Sequence, residues 1–215
     1  MELDEHEQGE LVRKWLRQNG SSLILGIALG LGLVFAWKWW QGKGATHQEE
    51  AATQYQLFNE AVSAKNAAKA ATFAKLLGDK YADTAYAELA TLRQAAFLHD
   101  TGKTADAIKL LQAAPSDGKG GDLDDLRRIR LARLQLIQGK PADARKTLAV
   151  ATQASYAGVA EELRGDIAVA EGNRELARKS YEKALSSLDQ AAPTRRLVEL
   201  KLIDAGGQPP AQPET

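Results

Sequence analysis

The stretch of sequence that decides the fold occurs three times: TGKTADA at residues 101–107, QGKPADA at 138–144 and EGNRELA at 171–177. Each copy has a glycine at its second position and an alanine at its seventh. Apolar or small residues three and four apart flank every copy, which is the spacing of amphipathic helices. A weaker copy precedes these three, and the alanines that register all four copies lie 37, 37 and 33 residues apart: Ala70, Ala107, Ala144 and Ala177. The pattern predicts four pairs of helices, with a glycine turn inside each of the last three.

A period near 34 residues, with small residues where two helices cross, is typical of tetratricopeptide repeats. The residues expected at the crossings are Ala95 with Ala107, Ala132 with Ala144, and Gly165 with Ala177. No run of alternating strand residues interrupts the helical pattern. Pro193 and Thr194 open a further amphipathic helix that extends to Leu202 and suits the end of a stack. The sequence therefore predicts an all-α fold, with about four repeats and a capping helix over residues 48–204.

The N-terminal part of the chain has the character of a membrane anchor. No charged residue lies between Arg17 and Lys38, and about 20 predominantly apolar residues are enough to cross a bilayer core of roughly 30 Å. All four tryptophans flank this run, as is usual at membrane interfaces: Trp15, Trp37, Trp39 and Trp40. Bulky residues after the run, in place of a small-residue cleavage site, favour a retained anchor over a signal peptide. We predict a transmembrane helix at 21–40, a cytoplasmic segment at 1–20 and a linker at 41–47.

The orientation of this helix in the membrane and its packing against other helices are predicted from fewer residues. Three basic residues lie close to it on the N-terminal side and two on the C-terminal side, which favours a cytoplasmic N-terminus by a margin of one. Gly26 and Gly30 form a G-x-x-x-G motif, whose glycines share a face and allow another helix to approach closely. The alternative is that glycine is simply common in membrane helices. The chain ends in residues 205–215, rich in proline, glutamine and glycine, which we expect to be disordered.

The composition excludes several classes of function. Lysine plus arginine and aspartate plus glutamate number 28 each, so no net charge favours a nucleic-acid partner. The absence of cysteine excludes disulfides, thiolate catalysis and cysteine-based zinc sites. The three histidines, His6, His47 and His99, are far apart and lack metal-ligand spacing. Since no acid–base or nucleophile constellation is recognisable, we expect no enzymatic activity, metal or cofactor.

Residues 117–125 contain four aspartates and three glycines but match no known ligand loop. They lack both the order of a calcium loop and the Ser or Thr of a phosphate loop. We therefore predict an inter-repeat loop whose aspartates sit at the N-terminus of the next helix. Four arginines follow on that helix: Arg127, Arg128, Arg130 and Arg133. We expect them to pair with the aspartates on a solvated face, except that Arg133 points into a binding groove.

That groove is the main candidate for a functional site. In tetratricopeptide stacks the first helix of each pair lines one surface, and an exposed apolar strip there usually marks protein binding. The register of the fixed alanines places nine residues on it: Tyr55, Asn59, Leu92, His99, Ile129, Arg133, Leu136, Glu162 and Asp166. A shift of one residue in the register would replace half of this set.

The two ends of the chain resemble a known family. The segments DEHEQ at 4–8 and VRKWLRQNG at 12–20, followed by one span and the repeats, are similar to the ancillary SecYEG translocon subunits of Gram-negative bacteria. The closing helix RRLVELKLID at 195–204 is similar as well. The resemblance implies an inner-membrane protein with a cytoplasmic N-terminus and periplasmic repeats. It also implies partnership with SecYEG and with a membrane-anchored prolyl-isomerase-type chaperone, and transfer of exported polypeptides to periplasmic chaperones.

Other functions compete with the adaptor function. Membrane-tethered helical repeats also serve as scaffolds for cell-envelope or division machinery, and regulation of envelope-stress signalling has been attached to the same family. An enzyme is a further class, and it would need a catalytic constellation that this sequence does not offer. The partners found after mild detergent extraction would distinguish an adaptor at the translocon from a scaffold for division or wall synthesis.

Overall fold

The computed structural model describes residues 5–114, 121–150 and 154–209. Throughout these residues the regular structure is helical, which confirms the all-α prediction. The elements in chain order are α1 (Glu5–Ser63), α2 (Ala67–Lys80), α3 (Ala85–Asp100), α4 (Thr104–Ala113), α5 (Asp122–Ile137), α6 (Pro141–Leu148), a 3₁₀ turn (Ala154–Tyr156), α7 (Ala157–Ala170), α8 (Arg174–Ser187) and α9 (Arg195–Asp204). The chain divides into two units, Met1–Glu50 and Ala51–Thr215.

The first unit contains one segment long and apolar enough to cross a membrane. It is Arg13–Lys38, 26 residues whose most apolar 18-residue window has a mean hydropathy of 1.9, and none of that window is buried. Its aliphatic and aromatic side chains are exposed, as at Leu33 (72%) and Phe35 (71%). The predicted linker at 41–47 falls inside α1, where the backbone is helical. An isolated glycine costs a helix only about 1 kcal/mol, so glycine content alone does not end it.

The turns between paired helices match the prediction from the glycines. Gly102, Gly139 and Gly172 have φ of 80°, 73° and 78°, in the left-handed region that side chains disfavour. In the first of these turns the Gly102 N–H donates to the His99 carbonyl and the Lys103 N–H to the Leu98 carbonyl, at 2.9 and 2.7 Å. These bonds satisfy carbonyl groups that the end of α3 leaves free.

The small residues lie at the helix crossings, as predicted. Ala107, Ala144 and Ala177 are fully buried, and Ala95 and Ala132 are at most 1% exposed. The apolar core follows the repeats as a series of clusters along the stack rather than one central core. Each pair of helices therefore buries its inner faces against its neighbours, as expected of a repeat protein.

The end of the stack is α9, which begins two residues after Pro193 and packs on α8. Val198 and Leu202 are its buried residues, 0% and 1% exposed. Gly206, with φ of 85°, ends the helix by the same kind of turn as the repeat glycines. Residues 205–209, in the segment predicted to be disordered, thus include an ordered helix terminus, and 210–215 lie outside the described residues. The predicted loop is described only from residue 121, and Asp122, Asp124 and Asp125 follow in the first turn of α5.

Candidate protein-binding surface

The first helices of the four pairs are the C-terminal part of α1, then α3, α5 and α7. They carry the nine residues predicted to line a groove, but these residues differ widely in exposure. Three are buried: Leu92, Ile129 and Glu162. Five are half-buried: Tyr55, Asn59, His99, Leu136 and Asp166. Arg133 alone among the nine is exposed.

Leu92 and Ile129 belong to the core and not to a surface. Each is 2% exposed and packs with the alanines of its own helix crossing, Leu92 with Ala95 and Ile129 with Ala132. The spacing that placed them on one face was correct, but that face turns inward at these positions. A side chain three residues before a crossing alanine lies on the same side of the helix as the alanine.

The N-terminal end of the row is filled by aromatic rings. Tyr55 lies 6.0 Å from Phe58 and 5.7 Å from Tyr86, measured between ring centroids. The neighbouring Asn59 has a buried Oδ1 that accepts no hydrogen bond from the described residues. His99, at the end of α3, is 2.9 Å from the Thr104 hydroxyl through Nδ1, which ties it to the turn. These contacts hold α1 to α3 and α3 to α4.

The C-terminal end of the row is closed by α9. The Lys201 amine donates to Glu162 Oε1 at 2.6 Å and to Asp166 Oδ2 at 2.8 Å. The Tyr181 hydroxyl donates to the other oxygen of Asp166 at 2.9 Å. Glu162 and Asp166, predicted to face a partner, are thus engaged by the capping helix. We name this set of four residues the end cluster: Glu162, Asp166, Tyr181 and Lys201.

The end cluster shifts the pKa of two of its members. Burial alone would lower the pKa of Lys201, but its hydrogen bonds to Asp166 and Glu162 outweigh burial and raise it. The pKa of Tyr181 is raised because burial disfavours the phenolate and because the negative charge of Asp166 lies beside it. Both groups therefore keep their protons well into the alkaline range.

The arginines at the start of α5 are held by contacts with other parts of the stack. Arg127 forms an ion pair with Asp124 and donates to the Leu111 carbonyl at 2.6 Å. Arg128 pairs with Asp124 at 2.7 Å and donates to the Val150 carbonyl at 2.8 Å. The predicted pairing with aspartates is confirmed, but the solvated face is wrong, since Arg127 is 7% and Asp124 4% exposed.

Arg130 is also structural, because it donates to the Leu92 carbonyl at 3.1 Å and so links α5 to α3. Arg133 differs from the other three arginines. Among the described residues it makes no hydrogen bond or ion pair, and it is exposed. It is therefore the arginine of α5 that remains available to a partner.

A short accessible strip remains at the centre of the row. Leu136 lies one helical turn from Arg133, and the adjacent Ile137 is 58% exposed. On the neighbouring helix α7, Val169 is 51% exposed at the position that corresponds to Leu136 in the next repeat. We name these four residues the central strip: Arg133, Leu136, Ile137 and Val169. Sequence reasoning missed Ile137 and Val169, which lie two and three residues before the turn glycines Gly139 and Gly172.

The membrane-helix glycines show no role within the chain. A Cβ added to Gly26 or Gly30 would meet no atom of the described chain within 4 Å. Packing against another helix remains a prediction for both. Across the described ranges, no group of three or more His, Asp or Glu side chains is placed to hold a metal ion.

Comparison with known proteins agrees with the architecture. The model of the family described as tetratricopeptide repeat-like domain matches residues 13–207, which include the apolar segment. A protein of Escherichia coli named ancillary SecYEG translocon subunit is 28% identical over 200 residues, covering 93% of this chain and 95% of that protein. Proteins of the same name from Haemophilus influenzae and Aggregatibacter actinomycetemcomitans are 27% and 26% identical, covering 93% of this chain and 97% of each. The resemblance seen at the ends of the sequence is thus confirmed over nearly its whole length, and the chain belongs to the tetratricopeptide repeat-like domain family.

Proposed function

We propose that this protein is a membrane-tethered adaptor at the Sec translocon, and that it binds other proteins and catalyses no reaction. The observation that carries the proposal is the extent of the similarity: 93% of the chain aligns with proteins named ancillary SecYEG translocon subunit. An alignment of that length includes the apolar helix as well as the repeats. The helical-pair architecture supports binding, because stacked helical repeats present extended surfaces to partner proteins.

In this proposal Arg13–Lys38 anchors the chain in the inner membrane with its N-terminus in the cytoplasm. The repeat unit then lies in the periplasm, where it works with SecYEG and a membrane-anchored prolyl-isomerase-type chaperone. It helps transfer exported polypeptides from the channel to periplasmic chaperones. The central strip is the surface on which we place the contact, because it combines exposed aliphatic side chains with the unpaired charge of Arg133.

The first experiment identifies the partners. The full chain is extracted from native membranes in a mild detergent and its co-purifying proteins are identified by mass spectrometry. We expect the SecY, SecE and SecG subunits, enriched over a matched control in which Arg133→Glu and Leu136→Asp alter the central strip. Recovery of division or wall-synthesis proteins in their place would support the scaffold function and overturn the proposal.

A second experiment tests the orientation. The absence of native cysteine makes a single introduced cysteine the sole thiol of the chain. Gln208 is exposed just after the end of α9, so Gln208→Cys does not disturb the core. A membrane-impermeant maleimide should label this variant on intact spheroplasts. If labelling requires lysis, the repeat unit is cytoplasmic and the hand-off to periplasmic chaperones is excluded.

A further inference from the structure

The last helix has two apolar faces, although the end of a repeat stack ordinarily needs one. Val198 and Leu202 point inward and are almost completely buried. Leu197, Leu200 and Ile203 are 50%, 51% and 50% exposed. Terminal repeats normally present a polar outer face, because no further repeat covers it. Three large aliphatic residues on the outer side of one ten-residue helix therefore require an occupant.

The arrangement of this outer face is symmetric about Leu200. At 100° per residue, Leu200 lies at the centre of the exposed face, directly opposite the buried pair. Leu197 and Ile203 lie three residues before and after it, one on each side. Arg196 and Asp204 lie four residues before and after it. A second copy of the helix in antiparallel orientation would thus set Leu200 against Leu200 and bring Leu197 of each copy level with Ile203 of the other.

The charges complement each other under the same operation. In an antiparallel pair centred on Leu200, Arg196 of each copy faces Asp204 of the other. Both residues are exposed, and among the described residues neither forms a hydrogen bond or an ion pair. Arg195, by contrast, turns inward: it donates to the Leu185 and Leu188 carbonyls at 2.9 and 3.1 Å. Within the described part of the chain, the charges left without an ion pair on this face are therefore the two that a two-fold axis would pair.

We propose that the outer face of α9 docks on the α9 of a second copy of this chain, antiparallel, with a two-fold axis at Leu200. A self-complementary patch is what a two-fold dimer requires, since each residue meets its symmetry partner. The helix is only about 15 Å long, so the contact is smaller than a standard stable interface of ~1,600 Å². The association is correspondingly weak, and tethering both copies to one membrane raises its effective concentration.

The first test uses the two-fold axis itself. Since residue 200 meets its own copy at the axis, Leu200→Cys in the full chain should form a disulfide-linked dimer in its native membrane under mild oxidation. Lys75→Cys is the matched control, because Lys75 is highly exposed on α2 at the other end of the stack. We expect at least tenfold more dimer from the cysteine at 200. Equal yields, no dimer, or a disulfide to a different protein would each overturn the proposal.

The second test separates this contact from any association of the membrane helices. In the Leu200→Cys background, Arg196→Glu places like charges opposite Asp204 and should lower the dimer yield at least tenfold. Asp204→Arg should do the same, and the double variant Arg196→Glu/Asp204→Arg should restore the yield. Thermal melting of each variant checks that the fold is retained. If charge reversal leaves the dimer yield unchanged, the antiparallel arrangement is wrong.

Discussion

The third and fourth repeats use the same register but fill their helix crossings differently. In the third, Ala132 lies at the crossing and Leu148, sixteen residues later, is buried beside it. In the fourth, the corresponding positions hold Gly165 and Tyr181. A Cβ on Gly165 would overlap the ring of Tyr181. The larger ring has replaced the methyl group of the alanine, so the two positions compensate each other in volume.

The tyrosine adds a connection that the leucine cannot make. Its hydroxyl reaches Asp166, which also accepts from Lys201 of α9, so the crossing of the fourth repeat is joined to the capping helix. The third repeat is instead joined to the second at its start, through Arg127. The same repeat framework therefore accepts an apolar crossing in the middle of the stack and a polar anchor at its end.

The largest effect should come from giving the fourth repeat the alanine of the third. We expect Gly165→Ala to destabilise the protein by about 3 kcal/mol, at the upper end of ordinary overpacking, because the Cβ displaces the Tyr181 ring. That corresponds to about 6–12 °C in melting temperature for a domain of this size. Circular dichroism of the full chain in detergent measures the shift.

The matched control for that variant adds a second substitution that makes room for the new Cβ. Gly165→Ala with Tyr181→Leu reproduces the third-repeat pair and should recover at least half of the lost melting temperature. Ala132→Gly in the third repeat should cost about 1–2 kcal/mol, from backbone entropy and from the loss of a buried methyl group. If Gly165→Ala melts at the wild-type temperature, the close contact at this crossing is absent in solution.

The second effect concerns the end cluster. Lys201→Met removes the amine that neutralises Glu162, a carboxylate only 6% exposed, and should cost about 2 kcal/mol because a buried acceptor is left unpaired. Lys75→Met is the matched control. Its ion pair with Asp79 has the same 2.6 Å distance but is largely exposed, so its loss should cost less than ~0.5 kcal/mol. Equal losses in chemical denaturation would show that burial does not strengthen the Lys201 contact.

The fold was largely predictable because its signals are local. The turn glycines and crossing alanines recur with a fixed spacing, and Gly102, Gly139 and Gly172 each specify a backbone conformation that needs no tertiary information. The extent of α1 was not predictable, since Gly42 and Gly44 are as compatible with a helix as with a linker. Helix interiors tolerate single glycines at modest cost.

The candidate site was less predictable because burial depends on distant residues. Leu92, Ile129 and Arg133 have the same periodic spacing, yet the first two are core and the third is exposed. Likewise, nothing near Glu162 or Asp166 in sequence indicates that Lys201, more than thirty residues later, pairs with both. To predict such a contact between α9 and α7, one would have to know which side of α9 faces α7.

The third effect is a loss of stability at alkaline pH. Tyr181 has its pKa raised from 10.0 and Lys201 from 10.5, so both fold with their protons bound. Their contribution is complete below pH 10 and is lost as the pH rises through the folded-state values. We expect ionisation of Tyr181, followed by tyrosinate absorbance, to coincide with loss of the helical signal. Tyr181→Phe should remove the increase in tyrosinate absorbance that accompanies the loss of helix. Ionisation of all five tyrosines while the helices remain intact would contradict the prediction.

Substitutions in the central strip should have the smallest effect on stability and the largest effect on binding. Arg133→Glu with Leu136→Asp reverses the charge of an exposed α5 arginine and adds a carboxylate beside Ile137. Truncation at an interface hot spot often costs ~2 kcal/mol or more, and 1.4 kcal/mol is one decade in affinity. Capture of translocon subunits by the full chain should therefore weaken at least tenfold.

Thermal stability measured on the same sample decides between a binding role and a packing role for the strip. Arg133 is exposed, and Leu136 is half-buried at the edge of the cluster around Ala132 and Ala144, so the melting temperature should fall by only a few degrees. Arg174→Glu with Leu176→Asp makes the same chemical changes on exposed residues of α8, and it should leave capture unchanged. If the Arg133/Leu136 variant unfolds, these side chains act in packing. If it stays folded and captures the same partners, the contact lies on another surface of the repeat unit.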